Sequence, residues 1–114
     1  MIDALKAAVC DANRELARLN LAILTWGNVS GADRAADALV IKPSGVPYDV
    51  LKPSDMVVVN LSDGRVREGA LRPSSDTPTH RALYGAFPAI GAVAHTHSRA
   101  ATLFAQARRP IPRL

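Results

Sequence analysis

Cysteine is almost missing from this sequence: Cys10 stands alone among 114 residues. A lone cysteine forms no internal disulfide, so Cys10 is expected to pack as a small apolar residue in a reducing, cytoplasmic setting. Aromatic side chains are also scarce, at 4%, so any core must be built from Ala, Val, Leu and Ile. No apolar run approaches the length of a membrane span. The start, Met1-Ile2-Asp3-Ala4-Leu5, has neither the basic region nor the apolar stretch of an export signal. No membrane association is expected. The net charge is +4, but the basic residues are scattered, apart from Arg65, Arg67 and Arg72 and the late group Arg108, Arg109 and Arg113. No nucleic-acid motif accompanies them, so nucleic acid is not expected as a partner. A mildly basic solvated surface or an anionic ligand remains.

What is present suits one small globular domain. The chain can bury a real core but not two. Hydrophobic content of 48% and charged content of 21% are ordinary for a soluble protein and argue against disorder. There are no internal repeats, low-complexity tracts or linkers.

Residues 2 to 19 repeat Ile2, Leu5, Val9, Ala12, Leu16 and Leu19 at helical spacing, with Asp3, Lys6, Asn13, Arg14 and Arg18 opposite. This predicts an amphipathic helix, ended by Asn20, which tolerates the left-handed conformation. Residues 21 to 24 read as a strand, broken at Thr25-Trp26-Gly27-Asn28-Val29-Ser30, and 31 to 37 as a polar loop. Gly27 permits close backbone approach to a ligand, and Asn28 carries both a donor and an acceptor. The same residues also suit a plain bulge or turn. Leu39-Val40-Ile41-Lys42 reads as a strand, hairpin-paired with the one before, and ends in Pro43-Ser44-Gly45-Val46-Pro47. A Ser-Gly turn offers N–H groups and a hydroxyl to a phosphate, with Lys42 adding charge, although Pro-Ser-Gly is also ordinary turn chemistry.

A short helical turn is expected over 48 to 55, limited by Pro53. Met56-Val57-Val58-Val59-Asn60-Leu61 reads as a β-branched strand. Ser62-Asp63-Gly64 is a tight turn that returns the chain through 65 to 68. A second helix opens at Ser74-Ser75-Asp76-Thr77-Pro78, with Ser75 as cap, Asp76 in the first turn and Pro78 tolerated there. Free N–H groups, hydroxyls and the positive helix end make such a start an anion site; simple capping explains the same residues. The helix ends near Phe87-Pro88, and His80 near its start reads as structural.

The apolar run Ala89-Ile90-Gly91-Ala92-Val93 feeds Ala94-His95-Thr96-His97-Ser98 and reads as a buried strand. Residues two apart on a strand share a face, so His95 and His97 can aim at one point. Imidazole suits zinc and related divalent metals. Two solvent-facing or hydrogen-bonded histidines are the other reading. Ser98 caps a third helix, 99 to about 107.

These blocks, taken in order, closely resemble the class II aldolase and L-ribulose-5-phosphate 4-epimerase family. The resemblance rests on Leu24-Thr25-Trp26-Gly27-Asn28-Val29-Ser30, Ile41-Lys42-Pro43-Ser44-Gly45-Val46, Asp55-Met56-Val57-Val58-Val59, Pro73-Ser74-Ser75-Asp76-Thr77-Pro78-Thr79-His80 and His95-Thr96-His97-Ser98-Arg99. It implies a three-layer α/β/α fold around a largely antiparallel sheet, with residues 1–114 as the N-terminal part of a single domain. It implies Asp76, His95 and His97 as ligands of zinc or another divalent metal. Gly27, Asn28, Lys42, Ser44, Gly45, Ser74 and Ser75 would bind a sugar phosphate.

The pattern looks most like the 4-epimerases, which interconvert L-ribulose 5-phosphate and D-xylulose 5-phosphate. The C4 hydrogen is not acidic, so inversion there would proceed by retro-aldol cleavage of C3–C4, rotation of the aldehyde and re-addition. The alternative within the family is a fuculose-phosphate type of aldolase, where Glu would stand in place of Asp76. Family members are usually homotetramers. Their chains run to roughly double this length, and the resemblance places a fourth histidine ligand and the proton-transfer residues beyond the matching half. This chain therefore also reads as a truncated form, with little turnover of its own or a role confined to binding metal.

Overall fold

The computed structural model describes residues 1–113. Helix α1 spans Ile2–Arg18, and Asn20 takes the expected left-handed backbone at φ 55°. Five strands follow in chain order: β1 (Asn28–Asp33), β2 (Ala38–Ile41), β3 (Val57–Asn60), β4 (Val66–Glu68) and β5 (Ala92–His95). A single 3-10 turn, Pro53–Asp55, precedes β3. Helix α2 (Thr77–Ala86) precedes β5, and α3 (Arg99–Gln106) follows it.

The strands form one sheet in the order β4-β3-β2-β1-β5, and every pairing is antiparallel. Side-chain alternation divides the core between the two faces. Ala38, Val40 and Val58 pack with Val9 and Cys10 of α1, and with Leu51 and Met56. Leu39, Ile41, Val57 and Val59 face the other way and pack with Tyr84 of α2. This is the expected three-layer α/β/α arrangement around an antiparallel sheet. Cys10 is buried and unpaired. Among the described residues no helix is long and apolar enough to cross a membrane.

Several sequence expectations need correction. The strand expected at residues 21 to 24 is a bridged turn, with Ile23 opposite Trp26 and Leu24 at φ 55°. The strand instead begins at Asn28 and runs through residues expected to be turn and loop. Its polar members are buried because their side chains find hydrogen-bond partners within the fold: Asn28 is 4% exposed and Ser30 is fully buried. Gly31 admits α1, since a Cβ there would lie 2.9 Å from both Leu5 and Val9. Strand β5 is not a buried strand but the sheet edge, with Ala92 and Ala94 exposed. Pro53 opens its helical turn and does not limit it. Helix α2 is capped at Asp76, one residue later than expected.

Candidate active site

Cross-strand register assembles the site. Asn28, first in β1, lies directly opposite His95, last in β5, so their side chains share a face. Past β5 the chain is held by the His97 N–H, which donates to the Leu21 carbonyl at 2.8 Å. The His97 ring then lies 4.8 Å, centroid to centroid, from the His95 ring and 6.0 Å from Trp26. The apolar turn at 21 to 26 thus contributes by carrying His97.

A second junction brings in the serines. The Ser44 N–H donates to the Arg72 carbonyl at 2.8 Å, and the Ser74 N–H donates to the Lys42 carbonyl at 3.0 Å. This short ladder joins the end of β2 to the approach of α2. It also occupies two of the N–H groups expected to meet a phosphate. The hydroxyls of Ser44 and Ser75 remain, together with the open backbone at Gly45. That glycine has φ +72°, and nothing lies within 4 Å of its Cβ position.

The Ser74 hydroxyl accepts from the Asp76 N–H at 3.2 Å and from the Asn28 amide at 2.9 Å. That amide also donates to Asp76 Oδ2 at 2.8 Å. His95 Nδ1 lies 2.8 Å from the same Oδ2. Burial alone would raise the Asp76 carboxyl, but the Asn28 and His95 bonds outweigh it and hold the group below its ordinary value.

All ten residues singled out in the sequence line one cavity of about 320 Å³: Gly27, Asn28, Lys42, Ser44, Gly45, Ser74, Ser75, Asp76, His95 and His97. Gly27 has φ +91°, and a Cβ there would lie 3.0 Å from the His95 carbonyl oxygen. Lys42 is 2% exposed, and burial lowers its ammonium below the ordinary lysine value. Asn28 Oδ1 is buried without a hydrogen-bond partner among the described residues, which leaves an acceptor for a ligand hydroxyl or a cation. Below the cavity the Ser30 hydroxyl lies 2.7 Å from His80 Nδ1 and 2.9 Å from the Tyr84 hydroxyl. His80 is thus held inside the fold, away from the cavity lining.

A carboxylate and two imidazoles form a suitable donor set for a divalent metal. As they stand, Asp76 and His95 are bonded to each other. No group of three or more His, Cys, Asp and Glu among the described residues is arranged to hold a metal ion. The Asp76–His95 bond occupies His95 Nδ1 and Asp76 Oδ2 and leaves His95 Nε2 and Asp76 Oδ1 for a cation.

Sequence reasoning passed over Tyr48, taken only as the start of a helical turn. It is 5% exposed and its hydroxyl donates to the Gly27 carbonyl, with the Trp26 carbonyl at 3.0 Å. A tyrosine within reach of a glycine loop carries no spacing signal, because the contact is long-range.

The Class II Aldolase and Adducin N-terminal domain matches residues 7–114, and the chain belongs to this family. The chain is 56% identical over 110 residues to L-ribulose-5-phosphate 4-epimerase UlaF of Salmonella paratyphi C (strain RKS4594), covering 96% of this chain and 48% of that protein. It therefore spans about half the length of the curated relatives it matches. Among solved structures, an L-fuculose 1-phosphate aldolase superposes with TM-score 0.88 at 34% identity, over 96% of this chain and 51% of that one. The L-fuculose-1-phosphate aldolase from Thermus thermophilus superposes with TM-score 0.73 at 29% identity, over 90% and 50%.

Proposed function

We propose that this member of the class II aldolase family supplies the phosphate- and metal-binding half of a sugar-phosphate 4-epimerase acting on L-ribulose 5-phosphate. The observation that carries the reading is the single cavity lined by all ten residues named from the sequence. The 56% identity to a 4-epimerase, against 34% to a fuculose-phosphate aldolase, favours the epimerase over the aldolase.

In this reading the phosphate lies against the Ser44 and Ser75 hydroxyls and the Gly45 backbone, with Lys42 supplying positive charge. Its ammonium is buried and its one hydrogen bond goes to the Pro43 carbonyl at 3.2 Å, so a phosphate would be a better partner than any it has. The Asn28 amide holds the Asp76 carboxylate, and its free oxygen suits a hydroxyl donor on the sugar. Asp76, His95 and His97 would hold a divalent metal, zinc or a similar ion. When bound, the metal would supply Lewis acidity at the oxygens on C2 and C3. Anchoring the phosphate keeps the two fragments of a cleaved C3–C4 bond within reach of each other.

The remaining half of the mechanism, proton transfer, finds no assigned group in this chain. The 114-residue chain is therefore expected to bind L-ribulose 5-phosphate in the presence of zinc and to turn it over little or not at all. Exposed apolar side chains near the cavity, Leu24 at 77% and Trp26 at 57%, suit assembly with further copies, and a reducing cytoplasm suits the unpaired Cys10. Calorimetric titration with L-ribulose 5-phosphate and with L-fuculose 1-phosphate, alongside an epimerase and aldolase assay, tests the proposal. Tighter binding of the pentulose phosphate supports it. Failure to bind either, or robust aldolase turnover, overturns it.

A further inference from the structure

Tyr48 touches both parts of the phosphate end of the cavity and belongs to neither. Its hydroxyl donates to the Gly27 carbonyl and lies 3.0 Å from the Trp26 carbonyl. Its ring lies under the buried Lys42 ammonium, with Nζ 4.8 Å from the centroid, within the range of a cation–π contact. The two carbonyls belong to successive peptides around a glycine at φ +91°. The segment is tied on either side, by the Trp26 N–H donating to the Ile23 carbonyl at 2.9 Å and by Asn28 pairing with His95, but the glycine between them populates both signs of φ readily. A trans peptide points its C=O and N–H in opposite directions. The hydroxyl that draws these carbonyls therefore also sets where the Gly27 N–H aims and, together with the pairing to β5, the Asn28 N–H. The phenol is built for donation: burial pushes it up to about 12, so the proton stays on the oxygen across the working range.

We propose that Tyr48 is the positioning residue of the phosphate site, with its hydroxyl fixing the Trp26-Gly27-Asn28 backbone and its ring seating the Lys42 ammonium. The proposal rests on the phosphate reading given above and assigns to one side chain the preorganisation that this reading requires.

The test titrates the 114-residue chain with inorganic phosphate and, separately, with zinc. Tyr48→Phe keeps the ring under Lys42 and deletes the hydroxyl. It is expected to weaken phosphate about five- to tenfold and to leave zinc affinity within about twofold, because the deleted group touches none of the proposed metal ligands. Tyr48→Leu deletes the ring as well and should weaken phosphate further. Tyr84→Phe removes another buried hydroxyl, the one on Ser30. It should lower stability without changing phosphate affinity, which separates positioning from general destabilisation. In the unsubstituted chain, phosphate should shift the amide resonances of Gly27 and Asn28, a readout independent of whether any variant folds. Wild-type phosphate affinity in Tyr48→Phe, or phosphate binding that leaves those amides unmoved, would overturn the assignment to Tyr48 alone. If the unsubstituted chain binds no phosphate, the phosphate reading itself falls and takes this proposal with it.

Discussion

Asp76 Oδ2 and His95 Nδ1 share a hydrogen bond of 2.8 Å across nineteen residues of chain. The bond uses one carboxylate oxygen and one ring nitrogen, which leaves Asp76 Oδ1 and His95 Nε2 for a metal ion. A carboxylate bonded to one ring nitrogen fixes the ring's orientation and raises the basicity of the other as a metal ligand. Asp76→Asn keeps an oxygen but removes the charge, and should weaken zinc by about tenfold or more. His95→Ala should cost more, because it removes a ligand outright. Unchanged zinc affinity in both variants would remove Asp76 and His95 from the proposed metal centre.

The helices and the central strands were readable because their signals are local. The apolar spacing of α1 and the β-branched run Val57-Val58-Val59 each determine a type of element without help from elsewhere. Strand β1 was not readable, since Asn28, Ser30, Gly31 and Asp33 have low strand propensity. Their place in the sheet depends on partners far along the chain: Ser74, His80 and α1. The run 21 to 24, exposed at Ile23 and Leu24, misled for the opposite reason. Its apolar side chains suggested a strand, yet Leu24 is 77% exposed. The ten site residues were named from the family resemblance. What the sequence could not show was that the Ser44 and Ser74 N–H groups are taken up by each other's loops, or that Tyr48 reaches the Gly27 carbonyl with its ring under Lys42.

Stability should fall with pH below about 6.5, and His80 is the reason. The ring is 1% exposed; burial lowers its value below the ordinary 6.5, the Asp76 charge opposes that shift and the His95 charge adds to it. The unfolded chain thus takes up a proton near pH 6.5 that the folded chain refuses. Stability is complete above that pH and is lost as pH drops toward the folded value. Asp76 acts in a separate window, below its ordinary value of 3.8, where its ionised-state stabilisation is lost. Urea denaturation between pH 7.5 and 5 (roughly the window in which a histidine titrates) should show the first slope. His80→Gln should abolish it. A slope that survives the substitution belongs to another group.

Two glycines of the cavity should respond differently to alanine. At Gly27, a Cβ meets the His95 carbonyl oxygen at 3.0 Å in addition to strain at φ +91°. Gly27→Ala should cost about 2 kcal/mol or more and displace the end of β5, visible as shifts at His95. At Gly45 the backbone is strained at φ +72° but the surroundings are empty. Gly45→Ala should cost only about 1 kcal/mol and leave His95 in place. Equal effects at both positions would mean that the close approach of β1 to β5 does not hold the site.

Asn13 should be the most costly polar side chain of α1 to remove. Strand β2 pairs with β1 only from Ser30 onward, which leaves Val29 without a neighbour on that side. The Asn13 side chain takes the place of the absent strand. Its Oδ1 accepts from the Val29 N–H at 2.8 Å, and its Nδ2 donates to the Val29 carbonyl at 2.9 Å and to the Val9 carbonyl at 2.7 Å. The residue is fully buried, so water cannot replace it. Asn13→Ala leaves a buried donor and acceptor unpaired at Val29 and should cost about 2–3 kcal/mol. Val29 lies between Asn28, which holds Asp76, and Ser30, which holds His80. Loosening it should therefore weaken zinc binding as well as stability. Hydrogen exchange at the Val29 amide reads the local event directly: protection there should collapse in Asn13→Ala while the Val58 amide in β3 keeps its order of loss set by global unfolding. Protection at Val29 equal to that of the unsubstituted chain would show that β2 and β5 hold the strand without Asn13.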